Sequence, residues 1–344
     1  MPDQLKDLSI IIVNYKGGDK LTRCLESIRL IEGNRFSFEV VIVDNQSNDG
    51  GIEENRRMFP EFTFISNSGN NGFANGCNVG ASISQGHSLL FLNPDTTVSE
   101  DALFDMLEEV QVRPQYSIVS CGQVKEDGSK DRPYGKFLTP ATLTGWLRSI
   151  RSVFYGSIED SIVQTRHYVY PDWVSGSALM IKRDGFFQLG RWDEDFWMYF
   201  EDVDLCRRAI NSGGEIVKLK TAEIGHLHGG SSRLNLEVTA LTKTEVHISR
   251  HLYISKHEKE GKAFYMHMIL ILNSLILGAI PAILGTFLFF IKPLQVCMRI
   301  YLRLVEYYFN VAFSGKWLSA RSVNYPFEKG DPIQKQISTC VNRA

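Results

Sequence analysis

The feature that most restricts what this chain can fold into is a recurring pair of signals. A short, wholly apolar, β-branched run is followed each time by residues whose apolar positions keep helical spacing. LSIIIVNY (8–15) is the first such run, the pattern of a strand covered on both faces in a parallel sheet. Leu21, Cys24, Leu25 and Ile28 follow at helical spacing, and EVVIVD, ending at Asp44, returns as a second buried strand. The alternation continues through FTFIS (62–66), a helix within 73–84, LLFLN (89–93) and an amphipathic helix after Ser99. Such order predicts an α/β fold, a mostly parallel sheet flanked by helices. Residues 122–170 then mix Gly, Pro, charge and aromatics without a clear period and read as an elaborated connection. WVSGSALMI, a helix over 203–211 stopped by Gly213 and Gly214, and a strand at EIVKL end the sheet near residue 228.

Beyond the sheet the chain changes character. From Ala263 to Ile291 there are 29 residues without Asp, Glu, Lys or Arg, where crossing a hydrocarbon core takes about 20. Gly278, Pro281 and Gly285 interrupt this stretch, and Lys256, Lys259, Lys262, Lys292, Arg299 and Arg303 flank it on both sides. Positive flanks at both ends place both ends in the cytoplasm. A re-entrant hairpin or an in-plane helix pair satisfies this better than one crossing, with a tilted single span as the alternative. The expected division is an α/β domain over 1–235, a connecting helix over 236–262, membrane-associated helices over 263–312 and a polar tail over 313–344. A formal net charge of -2 lacks the basic excess of a nucleic-acid binder, so no nucleic-acid partner is expected. The six cysteines form no CxxC pair and several lie in apolar stretches, as in a reducing compartment. The N-terminal MPDQLKDLS carries no pattern of a cleaved secretion signal. Together these place the chain at the cytoplasmic face of the cell membrane.

Ligands of open α/β sheets bind beyond the carboxyl ends of the strands, and here those ends are polar. The first strand exits at Asn14 and Tyr15, the second at Asp44 in VDNQSNDG, and the fourth at Asn93, Pro94 and Asp95. Three such exits can hold a nucleotide, with Asp44 on a base or ribose hydroxyl. Equally, Asp44 to Gly50 are turn-forming residues. Asp95, held by a proline after a buried strand, suits a hard divalent cation, Mg or Mn, that keeps water and diphosphate oxygens among its ligands. Its bland alternative is to cap the next helix, a place Ser99 fills better. NSGNNGFANGCNVG (67–80) opens a helix with five Asn and four Gly, and its backbone, with Asn71, Gly72 and Asn78, can cradle a diphosphate. In RWDEDFWMYFEDVDLCRRA (191–209), acids interleave with aromatics as in a sugar site, and Trp197 is the candidate for stacking on a sugar face. Glu201 and Asp202 start a helix whose dipole favours their ionised form, and one of them is the candidate base. His226 and His228 follow the last strand, and either can complete the metal shell of Asp95; on an extended segment they point to opposite faces.

The ordered set IIIVNY, VIVDNQSNDG, NNGFANGCNVG, LLFLNPD, WVSGSALMIKR, FWMYFEDVDLCRR and HLHGG resembles family 2 glycosyltransferases of GT-A fold, with its Rossmann-like sheet, over residues 8–235. It is most similar to bacterial rhamnosyltransferase-like members. The resemblance implies an inverting transfer of a sugar from a nucleoside diphosphate sugar to a glycan or lipid-linked saccharide acceptor. It implies that Asp95 is the last acid of a DxD-type metal motif whose first acid is replaced by Asn93. It assigns Asp44 to the nucleotide and Asp202, with Glu201 as alternative, to the catalytic base. A membrane-attached glycan-binding scaffold with a degenerate transferase fold is the competing reading, against which the intact NPD, ED and HLH segments stand.

Overall fold

We describe residues 5–227 and 235–326 of a computed structural model. The chain divides into two compact units, one of Met1–Asp193 with Tyr199–Ser231, the other of Glu194–Met198 with Ser232–Ala344. The first unit begins as the apolar pattern predicts: β1 (Leu8–Asn14), α1 (Asp19–Arg29), β2 (Phe38–Asp44), α2 (Gly51–Met58), β3 (Thr63–Ser66), α3 (Phe73–Ile83) and β4 (Ser88–Leu92). A two-residue strand, β5 (Thr96–Thr97), precedes α4 (Glu100–Val112) and the central β6 (Tyr116–Val124). An excursion carries β7 (Lys130–Asp131), β8 (Tyr134–Gly135), α5 (Gly145–Tyr155), β9 (Val163–Gln164), β10 (Tyr168–Tyr170) and β11 (Trp173–Val174). The chain re-enters the sheet as β12 (Ala178–Lys182), then forms α6 (Arg183–Gln188), α7 (Glu201–Asn211) and the long β13 (Glu215–His226). β6 was not expected from the apolar pattern, and it runs into the 122–170 stretch read as a connection, while β13 extends well past EIVKL.

The main sheet has the order β3-β2-β1-β4-β12-β6-β13-β10-β9. β1 to β4 are parallel, β12 runs antiparallel to both β4 and β6, and β13 is parallel to β6. The carboxyl ends of β1, β2, β4, β6 and β13 and the amino end of β12 therefore share one edge. The continuous apolar runs follow from burial on both faces. Ile10, Ile12, Val40, Ile42, Leu90 and Leu92 pack with α1 and α4 on one side. Their alternates Ile11, Val13, Leu89 and Phe91 pack with Ala74, Cys77 and Ala81 of α3 and Leu205, Cys206 and Ala209 of α7 on the other. Each such aliphatic or aromatic side chain contributes about 1.5–3 kcal/mol on full burial. Two glycines let α3 approach the sheet: a Cβ on Gly76 would lie 2.7 Å from Val13 Cγ1, and one on Gly80 2.5 Å from Ile11 Cγ2.

In the second unit, α8 (Leu236–His257) packs on α11 (Lys292–Ser314), with Ile248, Leu304 and Tyr307 at the contact. The segment expected to be a connecting helix is thus part of this unit's core. Glu260–Phe287 forms one 28-residue stretch long and apolar enough to cross a membrane by length and composition. It comprises α9 (Glu260–Leu272), a π-helical turn over Asn273–Leu277 and α10 (Ala279–Phe287). The expected interruption is present, and its cause is local. Pro281 has no N–H and its ring would crowd the carbonyl four residues back; the wider π turn, with Gly278 N–H on Asn273 O at 3.0 Å, absorbs the mismatch. α10 then packs against α11, where a Cβ on Gly285 would lie 2.4 Å from Leu294 O.

Candidate active site

At the sheet edge, the loop side chains bond one another. Asn14 and Asp44 are register partners on β1 and β2, and both are buried. Asn14 Nδ2 donates to Asp44 Oδ1 at 2.7 Å and to Ser47 Oγ at 3.1 Å. Ser47 donates its hydroxyl to Asp44 Oδ1 at 2.5 Å and its N–H to Oδ2 at 3.0 Å. Asp44 therefore closes the turn that VDNQSNDG suggests while sitting at the strand exit. Lys16, held at φ 52, donates its N–H to Ser47 Oγ at 2.8 Å, so the loops after β1 and β2 form one ledge, with half-buried Tyr15 on it. Asn67 Nδ2 reaches Asn45 Oδ1 at 2.9 Å and Asn75 Oδ1 at 2.8 Å, and Asn45 Nδ2 donates to Gly72 O at 3.0 Å. Gly72 has φ 91, a conformation for which glycine is the natural residue. Asn71 bonds Ser68 Oγ at 3.1 Å.

Asn78 needs a correction. Its amide donates to Trp192 O at 2.9 Å and accepts from Trp192 N–H at 3.1 Å, and it is buried. It is a clip between α3 and the loop before α7, with both polar atoms committed to backbone. Trp197 needs another. It falls in Glu194–Met198, part of the second unit, where it is buried with the Arg321 guanidinium 5.1 Å from its ring centroid. A packed cation–π contact takes the place of the expected sugar platform. His228 lies outside the described residues.

Asp95 and His226 do meet. β5, just after the NPD turn, pairs antiparallel with the end of β13, so that Thr96 stands opposite His226 and Thr97 opposite Gly225. Asp95 O accepts from Leu227 N–H at 2.8 Å. Gly225 permits this closeness, since a Cβ there would lie 2.3 Å from Thr97 Oγ1. His226 Nε2 faces Asp95 Oδ1 at 3.2 Å, and His226 Nδ1 lies 2.7 Å from Gln123 Oε1. Gln123 Nε2 donates to Ser177 Oγ at 2.6 Å, which turns Oε1 toward the imidazole and makes Nδ1 the protonated nitrogen. The lone pair of Nε2 then points at a carboxylate. Two acceptors at this distance need a proton or a metal cation between them, so the donor set fits a hard divalent ion. Where a proton fills that place, burial still works to raise the Asp95 carboxyl, but His226, and Lys20 after it, draw it below its ordinary value. Among the described residues no third His, Cys, Asp or Glu joins this pair, which leaves the remaining positions to diphosphate and water oxygens. Ser99, as expected, caps α4, accepting from Ala102 N–H at 3.3 Å, and leaves Asp95 free of that task.

The same hydrogen-bonded strip reaches the acids of α7. Asn93 N–H donates to Ser177 O at 3.0 Å, and the preceding residue, Gly176, donates its N–H to Asp202 Oδ2 at 3.1 Å. Asp202 Oδ1 accepts from Val203 N–H at 2.8 Å. Tyr199 and Phe200 both have φ 68, so two consecutive non-glycine residues in the left-handed region aim the start of α7, strain of a kind that clusters at functional sites. Glu201 is buried with Oε2 lacking a hydrogen-bond partner. Burial first, then the neighbouring Asp202, pushes its carboxyl well above the usual range. Asp202 is raised too, by burial, against the pull of the Gly176 and Val203 N–H groups. Burial and the neighbouring carboxyl thus disfavour charge on Glu201, while Asp202, with two N–H donors, is the better placed of the two to carry it. Gln123 was not evident from the sequence, since it stands at the polar end of a strand that the apolar pattern does not announce; Gly176 and Ser177 lie in WVSGSALMI, where nothing in the pattern marks them as site residues.

Residues 9–175 match glycosyl transferase family 2. The chain is 31% identical over 230 residues, 64% of its length and 67% of the relative's, to the low-salt glycan biosynthesis hexosyltransferase Agl10 of Haloferax volcanii. It is 25% identical over 237 residues, 64% of this chain and 75% of the relative, to the N-acetylglucosaminyl-diphospho-decaprenol L-rhamnosyltransferase of Mycobacterium tuberculosis. The rhamnosyltransferase WbbL of Escherichia coli is 21% identical over 211 residues, 59% of this chain and 77% of that protein. In three dimensions the chain is similar to a crystal structure of GalNAc-T7 with UDP, GalNAc and Mn2+, with TM-score 0.52 and 15% identity over 75% of this chain. It spans about half of that structure, 52%, and the likeness shows the GT-A fold. With a mixed sheet of this topology, polar strand ends gathered on one edge and relatives that transfer hexoses and rhamnose, the chain belongs to glycosyl transferase family 2.

Proposed function

We propose that this glycosyltransferase moves a hexose or 6-deoxyhexose, rhamnose being the first candidate, from a nucleoside diphosphate sugar to a glycan or lipid-linked saccharide in cell-surface polysaccharide synthesis. The transfer is inverting, depends on Mg or Mn, and takes place at the cytoplasmic face of the membrane to which residues 263–312 attach the chain. The observation that carries this reading is the continuous strip Asp95–His226–Gln123–Ser177, joined through Gly176 to Asp202, on the edge where the nucleotide ledge of Asn14, Tyr15 and Asp44 also lies. The acceptor in the name of the mycobacterial relative, N-acetylglucosaminyl-diphospho-decaprenol, makes a lipid-linked acceptor the first to try.

Asp95 and His226, steadied by Gln123, would hold the divalent ion, and Asn93 shapes the turn between them with its backbone. When bound, that ion supplies charge neutralisation for the departing diphosphate. Asp202 accepts the proton of the acceptor hydroxyl as that oxygen attacks the anomeric carbon from the side opposite the diphosphate. A single displacement inverts the centre and needs no covalent enzyme intermediate. Glu201, protonated beside it, keeps a second negative charge out of the cleft. The Asn45–Asn67–Gly72 stitching fixes the ledge in advance, so less ordering remains to be done when the donor binds.

A panel of nucleoside diphosphate sugars, each tested with Mn2+, Mg2+ or EDTA on the membrane-reconstituted chain, tests this. Transfer of the radiolabelled sugar half with inverted anomeric configuration, abolished by EDTA, is the expected result. Asp202→Asn should lower turnover by about 10²–10⁴-fold with donor binding kept, while Asp95→Asn loses metal-dependent donor binding. Full turnover in both variants would overturn the reading.

A further inference from the structure

α5 (Gly145–Tyr155) does not fit the economy of the rest of the first unit. It is the α-helix of that unit with no buried residue among the described residues. Trp146, Ile150, Val153 and Phe154 occupy positions i, i+4, i+7 and i+8, the spacing of a single apolar stripe, yet they are 47%, 51%, 79% and 75% exposed. Helices of this length are marginal in water without tertiary packing. This one is capped at both ends, Thr144 Oγ1 accepting from Leu147 N–H at 3.4 Å and Gly156 closing it at φ 72. Sequence and caps thus specify a formed helix on which Ile150, Val153 and Phe154 stay largely exposed.

The charge of α5 says what covers it. GWLRSIRSVFY contains Arg148 and Arg151 and no acid; at 3.6 residues per turn Arg148 falls opposite the apolar stripe, on the polar face with Ser149 and Ser152, and Arg151 falls between the two, its Nη1 donating to Gly156 O at 3.2 Å. Long basic side chains beside an apolar stripe with a tryptophan suit a bilayer boundary, where stems lie along acyl chains and heads reach phosphate oxygens. Its stem is firmly attached. Leu143 and Thr144 are buried, Lys136 pairs with Asp172 at 2.9 Å, and the Arg207 guanidinium of α7 lies 4.7 Å from the Phe137 ring centroid.

We propose that α5 is an interfacial anchor, lying in the headgroup region of an anionic lipid leaflet with Ile150, Val153 and Phe154 toward the acyl chains. This second attachment belongs to the catalytic unit itself, is separate from residues 263–312, and does not depend on turnover. Its stem shares α7 with Asp202, so contact with the leaflet and the acceptor-activating acid are mechanically linked.

Because the full chain carries another apolar segment, the test reads depth at α5 and not membrane binding as such. In a Cys297→Ser, Cys340→Ser background, a nitroxide is placed by Val153→Cys on the stripe, or by Ser152→Cys off it. The full chain is then reconstituted into phosphatidylcholine vesicles with or without phosphatidylglycerol. With phosphatidylglycerol, the label at 153 should lose collisions with an aqueous nickel complex and gain them with oxygen, at a depth of about 5–10 Å, while the label at 152 stays accessible to nickel. Arg148→Ser with Arg151→Ser should bring the label at 153 back to water. The proposal is overturned if 153 stays open to nickel in the anionic vesicles, or if it is shielded equally without phosphatidylglycerol. Dipolar broadening between labels, marking a second copy on this face, would overturn it as well.

Discussion

Gln123 decides more at this site than its neutral side chain suggests. By accepting from Nδ1 it leaves Nε2 of His226 as a lone pair directed at Asp95, and a ligand so oriented is worth about 10–100-fold in metal affinity. Gln123→Leu is expected to weaken Mn2+ binding by that factor, measured by titration of the free-ion Mn2+ signal, with folding intact. Glu201 gives a pH signature. Its carboxyl is raised in the folded chain, so its contribution to stability is full below the unfolded value of about 4.3 and is lost as pH rises through the folded value. Glu201→Gln removes that loss, and thermal unfolding should show the variant gaining on the parent chain as pH increases. The places of Asp95, Asp202 and His226 in the fold were legible because each stands at the end or start of a periodic element, where position follows from the pattern. Asn78 and Trp197 were misassigned because residue type says nothing about direction: the same amide that can meet a diphosphate can clip a backbone, and the same indole that can meet a sugar can sit under an arginine.

Elements divide in the same way. β1, β2, β4 and α4 were readable from periodicity alone, since burial on two faces demands unbroken apolar runs. β6 was not, because YSIVSCGQV interleaves Ser, Gly and Gln that are satisfied only by neighbours, as Ser120 is by Ala178 O at 2.7 Å. The strand that escaped the pattern is also the one that carries Gln123, so one omission hid both. The glycines of 67–80 read as a phosphate cradle, yet Gly76 and Gly80 chiefly allow α3 to lie against β1. Gly80→Ala should therefore destabilise the first unit by about 1–3 kcal/mol through overpacking on Ile11, seen as a lower denaturant midpoint, while leaving donor affinity in the folded fraction unchanged.

At the scale of the whole molecule, the proposed site of Asp44, Asp95, Asp202 and His226 lies within the first unit, and binding should report on that unit. A ligand at about 100 times its Kd stabilises the state that binds it by about 2.7 kcal/mol. The cognate nucleoside diphosphate with Mn2+ is expected to raise the melting temperature of the first unit, an increase that Asp95→Asn abolishes and Gly80→Ala retains. Failure of the rise in the parent chain would count against the metal and nucleotide ledge sharing one site.

The antiparallel course of β12 has a consequence for how such a protein can change. Residues 125–177 leave the centre of the sheet at the carboxyl end of β6 and return at the amino end of β12, both on the ligand edge, and on the way β7 pairs with β6 while β10 and β9 extend the sheet beyond β13. Within them the strand-free stretch 136–162, which carries α5, can be lengthened, shortened or exchanged without shifting a register. The sheet, with the polar edge that gathers the candidate site, can then stay fixed while that stretch varies.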